Sequence, residues 1–224
     1  MKKTFVVLNG ILMAVAMAFC VYYEAEGGLK LKAITCSWFA VLGIVNLVYA
    51  FASKGTHRSY PASMALGLIV CMIGDVVLNI SFIPGALIFA VGHLLYLSAF
   101  CFLKKFAVRD LIPMGIVFGV SILIIECVPI FDFGSALMEG ICIGYAFVIS
   151  CMVGKTFANL LRERNTVTVL LVIGSCLFYF SDLMLVLCAF GGGPKITDTL
   201  CIYTYIPAQC LLAHSVFHFV NKEN

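Results

Sequence analysis

Charged residues are scarce in this chain. Of its 224 residues, 11% are Asp, Glu, Lys or Arg, whereas 63% are hydrophobic, and the mean hydropathy is +1.11. A soluble domain is about 25% charged, so the composition excludes one and predicts a polytopic membrane protein. The net charge of +3 is small and gives no reason to expect a nucleic-acid partner.

Signatures of disulfide scaffolds and metal sites are also missing. The 11 cysteines are an odd number, lie mostly inside apolar runs and form no CxxC pair. We interpret them as small packing residues that lipid tolerates. The chain also lacks an HExxH motif or similar ligand spacing. We therefore expect no metal and no cofactor.

Long apolar runs fill the space between the charge clusters. A bilayer core needs about 20 apolar residues per helix, and eight runs meet this requirement. The first begins with MKKT and is interpreted as a retained span, because no clear cleavage site follows it. The predicted spans cover residues 5–23, 33–52, 61–80, 83–103, 111–131, 135–157, 166–190 and 199–220.

The basic residues predict an orientation. With the N-terminus inside, all but three of the 14 Lys and Arg residues fall in inside segments, if Lys155 at the inner end of the sixth predicted span is counted with them. The exceptions are Lys30, Lys32 and Lys195. This bias places both termini in the cytoplasm. We predict an all-α, multi-pass bundle of eight transmembrane helices, in the inner cell membrane.

The chain is expected to form one transmembrane domain, residues 1–224, with a weak internal repeat. GDVVL, residues 74–78 of the third span, resembles SDLML, residues 181–185 of the seventh. The two segments lie about half a chain length apart and run in the same direction. This spacing would fit two parallel repeats of four helices, 1–110 and 111–224, that meet at a shared site.

Four acids fall within the predicted spans, where an ionisable residue is a functional candidate. They are Asp75, Glu126, Glu139 and Asp182. Glu126 and Glu139 lie near the outer ends of their spans, where they can reach the interface, and their roles stay open. Because no Lys or Arg is expected within the membrane beside them, we expect no ion pair for Asp75 or Asp182.

Depth and helical spacing group several polar residues. Asp75 lies roughly 7 Å below the outer boundary at 1.5 Å per residue. Asp182 is at a similar depth, whereas His93 and Gln209 lie near the middle of their spans. Residues three or four apart share a helix face, which adds further candidates to these four. The candidates are Asn79 beside Asp75, Tyr96 beside His93 and Tyr205 beside Gln209. The pattern predicts a water-accessible pocket opened from outside, although interhelical hydrogen bonding would also explain a membrane Asp.

Several short motifs in order carry a family resemblance. They are Gly74-Asp75, His93-Leu94-Leu95-Tyr96, Ser181-Asp182 and Ala208-Gln209. This order on eight spans, from about residue 55 to 220, resembles the YhhN/TMEM86 lysoplasmalogenase family. Members often carry Lys-Pro at the start of the second span, whereas this chain has Lys32 without the proline.

The resemblance implies hydrolysis of the vinyl ether of lysoplasmalogens. The products are a fatty aldehyde and glycerophosphoethanolamine or glycerophosphocholine, and the partners are a lysophospholipid substrate and membrane lipids. This chemistry needs an acid that protonates the β-carbon and a carboxylate that stabilises the resulting cation. Asp75 and Asp182 are the expected catalytic pair. Asn79, His93, Tyr96, Ser181, Tyr205 and Gln209 are the expected substrate-binding residues.

Other functions remain open at this point. Membrane acids relay protons in transporters, so a proton-coupled transporter without hydrolytic activity is the main alternative. A metal-dependent hydrolase would use Asp75, His93 and Asp182, and a haem protein would use His93 and His214. A purely structural or partner-binding protein is a further alternative. The sequence does not determine the oligomeric state, the headgroup preference or which Asp is the acid.

Overall fold

The computed structural model describes residues 2–53 and 57–223. This part of the chain folds into eight α-helices and one 3-10 turn, Val108–Asp110, with no strand. The helices are α1 Lys2–Glu26, α2 Leu29–Ala52, α3 Ser59–Leu78, α4 Phe82–Leu103, α5 Leu111–Cys127, α6 Ala136–Arg162, α7 Thr166–Phe190 and α8 Lys195–Glu223.

All eight helices of the described residues are long and apolar enough to cross a membrane, with the 3-10 turn counted with α5. This confirms the predicted fold class. Helices are favoured in lipid because their backbone groups bond to one another and leave none unsatisfied. The chain is a multi-pass membrane protein. Its orientation stays a prediction.

The connections define two ends of the bundle. The hairpin end contains the turns 27–28, 79–81, 128–135 and 191–194. It is the end predicted to face outside. The terminal end contains the first and last described residues and the connections 104–107 and 163–165. Gly27 and Gly28 make the first tight turn with φ of 69° and 94°, a region that favours glycine.

The helix ends differ from the predicted ones in places. α2 begins at Leu29 rather than at residue 33, α6 continues to Arg162 rather than to residue 157, and α5 ends at Cys127 rather than at residue 131. Lys32 therefore lies within a helix, and Lys155 lies about two turns before the end of one, so the prediction that no basic residue shares the membrane with the acids is wrong. Both ammonium groups are paired with carboxylates, so their charge did not have to mark a helix boundary.

Small residues let neighbouring helices approach closely, as is typical of membrane bundles. A Cβ on Gly85 of α4 would lie 2.4 Å from Cα of Leu78 in α3, and one on Gly154 of α6 would lie 2.4 Å from Cα of Met114. α8 contacts α1, α2, α3 and α7 and occupies the centre, whereas the backbone of α5 approaches that of α6 alone among the helices described. α5 is thus the peripheral helix.

A buried ion pair fastens the connection between α4 and α5 at the terminal end. Nζ of Lys155 lies 2.7 Å from Oδ2 of Asp110, and both side chains are fully buried. Arg162 pairs with the other carboxylate oxygen and donates to the carbonyl of Lys105 at 2.7 Å. One carboxylate thus connects two turns of α6 to the loop before α5.

Asp110→Asn should destabilise the protein strongly. The substitution leaves the ammonium of Lys155 buried without its counter-charge, and breaking a buried pair in this way costs about 3–5 kcal/mol. Denaturant titration in detergent would measure the lower free energy of unfolding. Asp132→Asn in an exposed turn is the control and should leave it unchanged. Equal stability of the two variants would show that the buried pair contributes little.

Candidate active site

A cavity opens at the hairpin end between α1, α2, α3, α7 and α8. It has about 460 Å³ of empty space, part of it open to solvent. Charged and polar side chains line much of this cavity, and we call it the polar chamber. Those side chains include Tyr23, Glu24, Lys32, Asp75, Ser181, Asp182, Asp198 and Tyr205. The sequence predicted a pocket of this kind from the depth of the acids.

Asp75 lies in the chamber wall and forms an ion pair. Nζ of Lys32 is 3.0 Å from Oδ1, and the two side chains are 15% and 5% exposed. Sγ of Cys36, one turn along α2 from Lys32, donates to Oδ2 of the same carboxylate. The expectation that Asp75 has no basic partner is therefore wrong. Asp75 thus contacts an ammonium group and a thiol in the chamber wall.

Asp182 contacts a phenol and an imidazole instead. The hydroxyl of Tyr145 donates to Oδ2 of Asp182 at 2.6 Å. Nε2 of His93 lies 2.7 Å from the same hydroxyl and 3.4 Å from Oδ2. Since the Tyr145 proton goes to Asp182, the tyrosine oxygen accepts from Nε2–H of His93. The three groups form a hydrogen-bonded chain that runs from the buried imidazole to a carboxylate on the chamber wall.

Two more of the predicted binding residues reach the chamber. The hydroxyl of Tyr205 is buried and has no hydrogen-bond partner, although the side chain lines the cavity. Ser181 also lines the cavity, and its Oγ lies 3.5 Å from Sγ of Cys201. A buried hydroxyl without a partner is costly, so Tyr205 is the group best placed to bond to a ligand.

The remaining predicted binding residues lie away from the chamber. Tyr96 and Gln209 are fully buried, and the tyrosine hydroxyl donates to Oε1 of Gln209 at 2.6 Å. Nδ2 of Asn79 donates to the carbonyl of Asp75 at the exposed end of α3. The ring of Phe178 separates Tyr96 from the chamber, with centroids 6.4 Å from Tyr96 and 5.3 Å from Tyr205. The direct roles of these residues in binding stay predictions.

A second polar network lies near the terminal end. Asn9 and Asn46 exchange two amide hydrogen bonds of 2.9 Å, and Asn9 Oδ1 also lies 2.9 Å from Nδ1 of His214. Nε2 of His218 is 3.2 Å from Nε2 of His214. The predicted polar set lay in the outer half of the membrane and did not include the two asparagines. Glu126 and Glu139 line a separate open cavity at the hairpin end.

Lys32, Cys36 and Tyr145 were missed as site residues. Lys32 and Cys36 are spaced i, i+4, a spacing that predicts a shared face once the helix is extended to include them. Tyr145 carried only a weak signal, a polar aromatic group within an apolar span. Its distance from Asp182 depends on how α6 packs against α7, and sequence spacing does not determine that register.

The metal alternative finds no support in the side-chain geometry. Across residues 2–53 and 57–223, no three His, Cys, Asp or Glu side chains lie close enough together to hold a metal ion. Asp75 is directed to Lys32, whereas His93 is directed to Tyr145. His93 and His214 also contact different partners, Tyr145 and Asn9, rather than facing each other across a haem site.

A family model described as the YhhN family matches residues 35–216. The match includes Asp75, Tyr145, Asp182 and Tyr205, and it begins just after Lys32. It confirms the resemblance drawn from the ordered motifs. No curated protein and no solved structure matches the chain significantly.

The pairing of Lys32 with Asp75 can be tested by a double-mutant cycle. Lys32→Met should destabilise the protein, because it leaves the carboxylate without its cation. Adding Asp75→Asn should recover part of the loss, and contacting residues show coupling of about 0.5–3 kcal/mol. Thermal and denaturant unfolding in detergent would measure the coupling. Strictly additive effects would show that the two side chains do not interact.

Proposed function

The chain belongs to the YhhN family, and on that premise we propose that it is an integral-membrane hydrolase that cleaves the vinyl ether of lysoplasmalogens. The products would be a fatty aldehyde and a glycerophospho-base. One observation carries the proposal: two carboxyl groups with different partners line one chamber. Asp75 is paired with an ammonium group, whereas Asp182 contacts a phenol and an imidazole.

The difference between the partners suggests the two roles. In this mechanism Asp182 protonates the β-carbon of the vinyl ether and leaves an oxocarbenium ion on the ether side. Asp75, paired with Lys32, stabilises that cation and orients a water molecule that adds to it. The resulting hemiacetal collapses to the aldehyde and the free glycerol hydroxyl. Other enzymes divide acid and stabilising roles between two carboxyls in the same manner.

The hydrogen-bonded chain behind Asp182 supports this assignment. The hydroxyl of Tyr145, itself bonded to Nε2 of His93, would donate a hydrogen bond to the carboxylate that remains after Asp182 gives up its proton. Contacts of 2.6 Å and 2.7 Å are within the range for such hydrogen bonds. The proton released when water adds to the cation would return to Asp182, so the cycle consumes only water and the vinyl ether.

The unpartnered hydroxyl of Tyr205 would hold the polar part of the substrate. It is the buried donor in the chamber wall that lacks a partner. A glycerol hydroxyl or an attacking water could accept from it. Ser181 lies next to Asp182 in sequence and lines the same cavity, so it would contribute a second contact.

A proton-coupled transporter remains the second candidate. The observation that favours it is the buried network of Asn9, Asn46 and His214, which extends polar groups towards the terminal end. Uptake of a solute into proteoliposomes, without release of aldehyde from any vinyl ether lipid, would support this function and contradict the hydrolase.

Asp182→Asn and Asp75→Asn should each abolish hydrolysis in a folded protein. Removing the acid should lower kcat for aldehyde release by roughly 100-fold or more, the usual contribution of general acid catalysis. Removing the charge that stabilises the cation should have an effect of about the same order. The measurement is aldehyde released from a defined lysoplasmalogen by purified protein.

Glu139→Gln is the matched control for this experiment, since Glu139 lines a different cavity. It should retain full activity. The acyl lysophospholipid with the same headgroup is the second control, because its cleavage would show an ordinary lysophospholipase instead. Normal turnover by either Asp variant, with unchanged folding, would exclude the mechanism with two carboxyls.

A further inference from the structure

A second cavity also reaches Asp182. It lies between α5, α6 and α7 and has about 460 Å³ of empty space, part of it open to the surroundings. We call it the α5 groove and define it by its apolar lining residues, Ile125, Cys142, Ala146, Ile149, Leu183 and Val186. Asp182 and Tyr145 form its polar end, and Asp182 lines the polar chamber as well. One carboxyl group is therefore common to a polar and an apolar cavity.

The position of α5 leaves the groove open to the side. α5 packs on α6, and over the described residues its backbone does not contact that of α7. A hydrogen bond between side chains bridges the gap. Oγ of Ser121 on α5 lies 2.7 Å from the hydroxyl of Tyr179 on α7 and 3.2 Å from Oγ of Ser150 on α6. Of the α5 residues that line the groove, Ser121 lies nearest to the terminal end, so this contact marks that end of the groove.

From this arrangement we infer that the α5 groove binds the hydrocarbon chain of a single-chain lipid and that Ala146 determines which chains fit. The inference rests on the proposed function. If the headgroup of a lipid lies in the polar chamber and its chain lies in the groove, the part of the lipid between them lies beside Asp182. In the proposed substrate, that part is the vinyl ether, which joins the polar part to the hydrocarbon chain.

The shape and polarity of the groove favour a hydrocarbon chain. Its walls come from aliphatic, aromatic and thiol side chains, and its polar groups other than Asp182 and Tyr145 are the hydroxyls of Ser121 and Tyr179, which bond to each other. Because the walls are apolar, a hydrocarbon chain can bind there without removing water from polar groups of the protein. The side opening lets a lipid enter from the bilayer without leaving it.

Ala146→Phe tests the inference, because a phenyl ring at this buried position would fill the groove next to Tyr145. The measurement is kcat/KM for vinyl ether lysolipids with a long and a short alkenyl chain and the same headgroup. The ratio of long-chain to short-chain kcat/KM should fall at least tenfold relative to the unsubstituted protein. Ala14→Phe, the same change on an exposed face of α1, is the matched control and should leave the ratio unchanged.

The outcomes separate this inference from the proposed function. If the unsubstituted protein releases no aldehyde from either lipid, the proposed function fails. If it cleaves both, but Ala146→Phe leaves the ratio unchanged or lowers both values equally in a folded protein, the groove does not bind the chain.

A second measurement needs no substitution and applies if Ala146→Phe does not fold. A lysophosphocholine with a diazirine at the end of its chain is photolysed with the unsubstituted protein in vesicles, and the adducts are mapped by mass spectrometry. Adducts on the groove segments 121–125, 142–149 or 183–186 are expected and should be suppressed by excess unlabelled lysolipid. Adducts that lie only on other helices, or that excess lysolipid does not reduce, would overturn the inference.

Discussion

The cost of an ionisable group in apolar surroundings governs the arrangement of this bundle. An acid within a membrane helix has to find a partner, water or a proton. Asp75 has the ammonium of Lys32, and Asp182 has the hydroxyl of Tyr145. Asp110, near the terminal end, has Lys155. Each of these partnerships joins two segments of the chain, so satisfying the acids also determines which helices stay together.

The partners of the two chamber acids occupy corresponding places in the chain. Lys32 lies on the helix before Asp75, and Tyr145 lies on the helix before Asp182. The helix that follows each acid is also its most extensive packing partner, α4 for α3 and α8 for α7. This correspondence agrees with two repeats of four helices, which stays a prediction. The two carboxyl groups nevertheless have different surroundings, because α2 supplies the cation of Lys32 to Asp75, whereas α6 supplies the phenol of Tyr145 to Asp182.

Hydropathy predicts the helices well because burial of backbone groups in lipid leaves few alternatives to a helix. It predicts the ends of the helices less well. Lys32 was assigned to a loop and Lys155 to the inner end of its span because charge usually marks a boundary, yet a carboxylate on a neighbouring element makes each charge tolerable inside its helix. Such pairing depends on three-dimensional packing. The hydrogen-bonded chain of Asp182, Tyr145 and His93 could not be predicted either, because contacts between distant residues set the helix register across α4, α6 and α7.

The two buried polar networks differ in how completely they are satisfied, and this difference separates structure from function. In the network near the terminal end, the amides of Asn9 and Asn46 bond to each other and to backbone carbonyls, and Asn9 also contacts His214. A network in this state holds helices together and has little capacity left for a ligand. In the polar chamber the hydroxyl of Tyr205 has no partner, and Asp182 faces space on two sides. Unsatisfied groups beside empty volume are what a binding site requires, so the chamber is where the chemistry of this protein is expected.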